Sequence, residues 1–288
     1  MNAELNVRFS PPVDPKSDEN LSINAPLLEK WLIAFLRDEI QRRRGFQRAV
    51  VGLSGGVDSS VTAYLCAKAL GPENIFGIRM PYSASSTDSL DHAQIVADDL
   101  KINVSTIEIT AAVDGYVQFE PDADSRRRGN VMARQRMIIL FDQSAKVNGL
   151  PVGTGNKTER LFGYFTWHAD DSPPVNPLGD LYKTQVWALA RQLGVPDVII
   201  NKPASADLIV GQTDEGDFGI SYPRADRILY YLLKGYRADR LLRMGFPESE
   251  VKIVLGRLNS THWKRHLPTT AMLSSTSIND YYLRPVDY

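Results

Sequence analysis

The sequence predicts an α/β protein with a Rossmann-like parallel sheet, helices on both faces and a helical C-terminal extension. Three observations predict it. Short apolar runs alternate with stretches of helical periodicity, each run is bounded by turn residues and too short for a helix, and the first run opens straight into a glycine-rich turn and a helix. Strands that are apolar throughout belong in a sheet covered on both faces, and right-handed crossovers make such a sheet parallel.

Residues 1–20 carry Pro11, Pro12 and Pro15 among polar residues and predict a flexible N-terminal arm, whereas residues 21–288 predict a single domain. Asn24 is a candidate N-cap for a first helix over 24–44. Its Leu27, Leu28, Trp31, Leu32, Phe35, Leu36 and Ile40 repeat at helical spacing until Gly45 stops the pattern. A buried strand is predicted at 49–53, followed by a helix over 57–70 that Gly71-Pro72 ends. The unit then repeats: strand 75–80, helix 90–100, strand 104–109, helix 131–147 and strand 150–153. A helix over 183–193 stops at Gly194-Val195-Pro196, and the remainder reads as helical with no new domain signal.

The 288 residues are 43% hydrophobic, enough for a sizeable core, which excludes a disordered chain. Lys plus Arg number 33 against 34 Asp plus Glu, so there is no basic field to draw the chain onto nucleic acid or an anionic membrane. Cys66 is the sole cysteine, too few for an internal disulfide or a paired-thiol zinc site, and it fits a reducing compartment. The N-terminus lacks a signal peptide's charged start and apolar run, and no stretch approaches the ~20 apolar residues of a membrane span. The expectation is a cytoplasmic protein with neither nucleic acid nor membrane as partner.

The strongest local signal is Gly52-Leu53-Ser54-Gly55-Gly56-Val57-Asp58-Ser59-Ser60, between the first buried strand and its helix. A helix N-terminus at the carboxyl end of a parallel strand offers unpaired N–H groups and a positive dipole end to phosphate. Gly55 and Gly56 let the backbone approach the anion, and the serines can donate hydroxyl hydrogen bonds. A carboxylate beside phosphate is repelled unless a cation intervenes, so the natural role of Asp58 is to hold Mg²⁺. The competing reading is an ordinary strand-to-helix turn. No Gly-Lys-Ser/Thr follows, so this is not a Walker A loop. The complete string resembles the SGGxDS loop of the ATP pyrophosphatases, which cleave ATP to AMP and pyrophosphate.

Downstream come Gly129-Asn130-Val131-Met132-Ala133-Arg134, Gly153-Thr154-Gly155-Asn156-Lys157-Thr158-Glu159, Gly163-Tyr164-Phe165-Thr166, Pro177-Leu178-Gly179-Asp180-Leu181-Tyr182-Lys183-Thr184 and the 202–208 string that begins Lys202-Pro203-Ala204-Ser205. With Gly219-Ile220-Ser221-Tyr222 they closely resemble the ammonia-dependent NAD synthetases. That resemblance implies an adenine nucleotide alpha hydrolase-like version of the fold. It also implies a ligase that adenylates the carboxylate of deamido-NAD with ATP and Mg²⁺, releases pyrophosphate and lets ammonia displace AMP. By the same resemblance Lys183 binds phosphate, Asp58 and Glu159 hold Mg²⁺, Thr154 and Ser205 contact ATP, and Arg79 stacks on adenine. Arg134 and Lys264 fall where the family contacts deamido-NAD, and the family forms homodimers. The apolar face of the first helix is one surface on which two copies could meet.

Trp167 stands where the family has a lysine, Pro174 where it has an acid and Trp263 where it has a histidine. Asp170 and Asp171 are candidates to supply the missing acid. These departures keep two alternatives open: the same chemistry on a different carboxylic acid, and an ATP-binding sensor without turnover. The nitrogen must come as ammonia, free or from a separate glutaminase, because Cys66 lies inside a predicted helix and is no candidate nucleophile.

Overall fold

Helix boundaries follow from caps and glycines. In the computed structural model, which describes residues 17, 19–83, 87–205, 211, 213–266 and 269–273, helix α1 (Ala25–Arg37) starts where Asn24 Oδ1 accepts the Leu27 N–H at 3.1 Å. It runs on into a π-helical turn at Asp38–Arg42, and the chain reverses at Gly45, whose φ of +74° suits glycine. Of the arm expected at 1–20, residues 1–16 and 18 lie outside the described residues.

Next come β1 (Arg48–Gly52), α2 (Val57–Leu70), β2 (Ile75–Arg79), α3 (Thr87–Leu100), β3 (Asn103–Thr106), α4 (Thr110–Val117), α5 (Ser125–Lys146) and β4 (Gly149–Val152). The strands are all parallel in the order β3-β2-β1-β4, with Ala49 beside both Ile75 and Leu150 and with Gly77 beside Val104. Side-chain alternation along β1 makes both faces apolar. Ala49 and Val51 enter a core with Leu36, Leu65 and Val96, while Val50 enters another with Val113, Met132 and Leu140. Helices therefore cover both faces, as the sequence predicts.

Several boundaries differ from expectation, two of them for local reasons that their hydrogen bonds show. Helix α5 begins at Ser125 because Asp124 Oδ1 accepts the Arg127 N–H at 2.7 Å, a cap that starts a helix through residues with no apolar periodicity. Strand β3 ends at Thr106, yet Ile107 and Ile109 donate to the Arg79 and Pro81 carbonyls at 2.9 Å, so extended pairing continues to 109.

Beyond the sheet lie α6 (Lys157–Phe162), α7 (Lys183–Leu193), α8 (Asp197–Ile200), α9 (Asp214–Phe218), α10 (Tyr222–Leu233), α11 (Ala238–Arg243) and α12 (Glu248–Thr261). Helix α7 joins α1 and α2 through Val186 and Leu189. The others enclose a core of their own around Phe162, Phe218, Tyr222, Leu229 and Val254, in which Phe162 meets Phe218 edge-on at 5.0 Å. Leu21 belongs to this core, and its carbonyl accepts Gln185 Nε2 at 3.2 Å. Among the described residues no helix is long and apolar enough to cross a membrane.

Candidate active site

The strand order puts a switch point between β1 and β4, where the connections leave in opposite directions and a crevice opens at the strands' carboxyl ends. The loop after β1 and the loop after β4 therefore meet. Between them lies a cleft of about 1220 Å³, larger than a typical single-ligand pocket and roomy enough for two nucleotides side by side.

At one end stands the glycine loop. Gly55 has a φ of +73°, and a Cβ there would strike the Ser89 carbonyl of α3, so both backbone and space demand glycine. Ser59 and Ser60 donate back to the Gly56 carbonyl at 3.0 and 2.8 Å, and Ser54 Oγ lies 3.1 Å from Ser59 Oγ. The serines thus shape the turn; Ser54 and Ser59 line the cleft, as do Gly52, Leu53, Gly56 and Val57. Gly56 caps α2 without a side-chain bond, so the first-turn N–H groups have no carbonyl behind them.

Asp58, in that first turn, is held from two sides. Its Oδ1 accepts Asn156 Nδ2 at 3.0 Å, and its Oδ2 pairs with Lys183 Nζ. Lys183 begins α7, is 2% exposed, and has Glu159 Oε1 at 3.8 Å and the Tyr222 ring centroid at 5.2 Å. Burial pushes Glu159 up to about 8, Asp58 adds to the push, and Lys183 opposes it. Burial would lower Lys183, but Asp58 and Glu159 outweigh it and hold the ammonium charged, above the ordinary lysine range. Asn156 ties the two carboxylates together: its N–H reaches Glu159 Oε2 and its Oδ1 accepts the Glu159 N–H, both at 3.0 Å, while its amide reaches Asp58. This capping box, Asn156-Lys157-Thr158-Glu159, was a readable signal that reveals a fully buried site residue.

Thr154 and Ser205 also line the cleft. Residues 206–208 of the motif that continues from Ser205 lie outside the described residues. Arg79 is not brought in: its Nη1 donates to Gln94 Oε1 at 2.7 Å on α3, and it does not line the cleft. Asp214 and Tyr222 join without having been singled out. Tyr222 donates to Asp214 Oδ2 at 2.7 Å, and Asp214 is 4% exposed at the cleft wall, within reach of Tyr164. Neither could be placed from sequence, because their meeting with Lys183 depends on how α10 folds back on α7.

The cleft wall also carries two of the three residues noted above as departing from the family pattern. Trp167 and Trp263 meet edge-on at 5.3 Å, and both line the cleft. Arg134 donates to the Trp167 carbonyl at 3.1 Å, and Lys264 donates to the Gly163 carbonyl at 2.6 Å and to that of Phe165. Burial lowers Lys264, with Asp170 and Asp171 pulling the other way. Asp170 lines the cleft and accepts the Thr166 N–H at 2.8 Å, whereas Pro174 does not line it. Of the arginines on α5, Arg126, Arg134 and Arg136 line the cleft, while Arg127 pairs with Glu120 and does not line it.

The family model described as NAD synthase matches residues 28–268. The NH(3)-dependent NAD(+) synthetase of Fusobacterium nucleatum is 47% identical over 254 residues, 88% of this chain and 98% of that protein. The solved NH3-dependent NAD synthetase of Campylobacter jejuni superposes with a TM-score of 0.75 at 30% identity, covering 87% of this chain and all of its own. The NMN synthetase of Francisella tularensis superposes with a TM-score of 0.78 at 28% identity over 88% of this chain. Agreement in sequence along nearly the whole length, on the same parallel sheet, means that this chain belongs to the NAD synthase family.

Proposed function

We propose that the chain makes NAD from deamido-NAD, ATP and ammonia. The observation that carries the reading is the buried Lys183 between Asp58 and Glu159, set against the glycine loop in a cleft with room for a second nucleotide. Ammonia cannot displace oxide from a carboxylate, so the carboxylate oxygen first attacks the α-phosphorus of ATP. The bond from that phosphorus to the bridging oxygen breaks, and pyrophosphate leaves. Ammonia then attacks the acyl carbon, AMP leaves with the original carboxylate oxygen, and the nitrogen loses a proton.

In this reading the N–H groups at the start of α2 and the Lys183 ammonium take up the charge that grows on the departing pyrophosphate. Thr154 and Ser205 contact ATP, while Arg134 and Lys264 border the acceptor. Asp58 and Glu159 suit Mg²⁺: they are two hard oxygen donors beside the phosphate site, and this ion takes one or two carboxylates with phosphate oxygens and waters completing its shell. When bound there it neutralises the phosphates and draws charge from the leaving group. A flexible arm before a single domain over 21–288, a homodimer and a cytoplasmic location belong to the same reading.

The test is incubation with ATP, Mg²⁺, ammonium and deamido-NAD, with NAD measured by mass spectrometry beside pyrophosphate. The expected result is equal yields of the two, both lost in Asp58→Ala. Pyrophosphate stimulated by another carboxylate and not by deamido-NAD would overturn the acceptor, and no pyrophosphate with any acceptor would overturn the ligase.

A further inference from the structure

Helix α7 carries Lys183 at its first position, and its own sequence provides only half a cap: Gln185 Oε1 accepts the Tyr182 N–H at 3.0 Å, but no side-chain oxygen of Tyr182 accepts a first-turn N–H. The rest of the cap comes from elsewhere in the chain. Asp226 of α10, fully buried, accepts the Thr184 N–H at 3.0 Å and the Thr184 hydroxyl at 2.9 Å on Oδ2. Its Oδ1 accepts the Thr158 hydroxyl of α6 at 2.6 Å, and the Thr158 oxygen in turn accepts the Lys183 N–H at 3.1 Å. Three helices thus converge on one carboxylate. Thr158 is itself fully buried and is the residue before Glu159, so its oxygen fixes the Lys183 backbone directly and its own anchoring holds the adjoining Glu159.

We propose that Asp226 and Thr158 are positioning residues, a cap supplied from outside the helix that sets Lys183 and Glu159 in register with Asp58 for the adenylation step. The inference rests on the function proposed above. A buried carboxylate against the N-terminus of α7 also complements the helix dipole, which a neutral group of the same shape does not. Neither residue lines the cleft, so neither has a route to substrate except through the groups it holds. Misplacing a charge-stabilising group acts on the transition state more than on ground-state binding, and the expected signature is a loss in kcat with KM little changed.

The experiment compares Thr158→Val, Thr158→Ser and Asp226→Asn in kcat and KM for ATP, corrected for folded protein, together with crystal structures of the variants. In Thr158→Val and Asp226→Asn, kcat should fall about tenfold or more with KM for ATP within about threefold, while Thr158→Ser should recover wild-type kcat to within about threefold. The double variant Thr158→Val/Asp226→Asn should be little worse than the poorer single one, because both cut the same connection. A kcat for folded Thr158→Val within about twofold of wild type, or equal losses in the serine and valine variants, would overturn the proposal. If wild-type protein makes no NAD, the proposed function fails, and the crystal structures still decide: a Lys183 ammonium unmoved from Asp58 in both Thr158→Val and Asp226→Asn overturns the positioning role, and a displaced one supports it.

Discussion

Asn156 and Cys66 show how differently single residues can be read. Cys66 sits on the buried side of α2, fully enclosed, and burial pushes its thiol up to about 12. Thiolate is the reactive form, so at about pH 8 the native protein should resist iodoacetamide and react only after unfolding; alkylation of folded protein at the denatured rate would contradict this enclosure. The sequence already pointed to a structural thiol. Asn156, by contrast, was not singled out from the sequence, and it brackets two carboxylates only because β1 and β4 lie side by side. The aromatic pair belongs to this scale as well. Trp263 meets Trp167 edge-on at the cleft wall, and such pairs contribute about 0.5–1.5 kcal/mol. Trp263→Ala should therefore raise KM for the dinucleotide about threefold to tenfold and leave KM for ATP unchanged; a matching rise in both would place Trp263 outside the acceptor end.

Among the elements, those with a strong apolar pattern were legible and those set by caps were not. Residues 49–53, 57–70 and 183–193 announce β1, α2 and α7 because burial dictates most of their side chains. The short helices α4 and α6 were missed, since eight or fewer residues show little periodicity and their ends depend on partners distant in sequence. Helix α6 matters beyond its length, because it carries Thr158 and Glu159 on one turn and anchors that turn with Phe162 in the helical core. Phe162 is fully buried and edge-on to Phe218, so Phe162→Ala should destabilise the protein by about 3–5 kcal/mol. Denaturant unfolding checks this, and a loss below about 1 kcal/mol would mean the helical core is loosely packed.

For the whole molecule, the site exists because the strand order reverses beside β1, bringing residues from positions 58, 156, 159 and 183 together. Exposed large hydrophobic residues cluster on two helical faces among the described residues. Leu27, Trp31 and Phe35 are exposed on α1, and Tyr116, Ile138 and Phe141 on α4 and α5. Analytical ultracentrifugation should give a dimer that a charge weakens: Ile138→Glu if α5 forms the contact, Trp31→Glu if α1 does. A monomer at micromolar concentration would contradict the homodimer. By itself the sequence determined the parallel α/β class and the glycine loop after β1, and its motifs singled out Asp58, Glu159 and Lys183 as site candidates, because strand burial, glycine turns and local motifs are properties of short stretches of chain. Tertiary structure alone decided that Asn156 joins two carboxylates, that Asp226 caps a helix begun 43 residues earlier at Lys183, that Arg79 turns to Gln94, and that two departures from the family pattern, Trp167 and Trp263, touch. The physical reason is that a hydrogen bond or ring contact between residues far apart in the chain is fixed by how whole elements pack, and no local pattern encodes it.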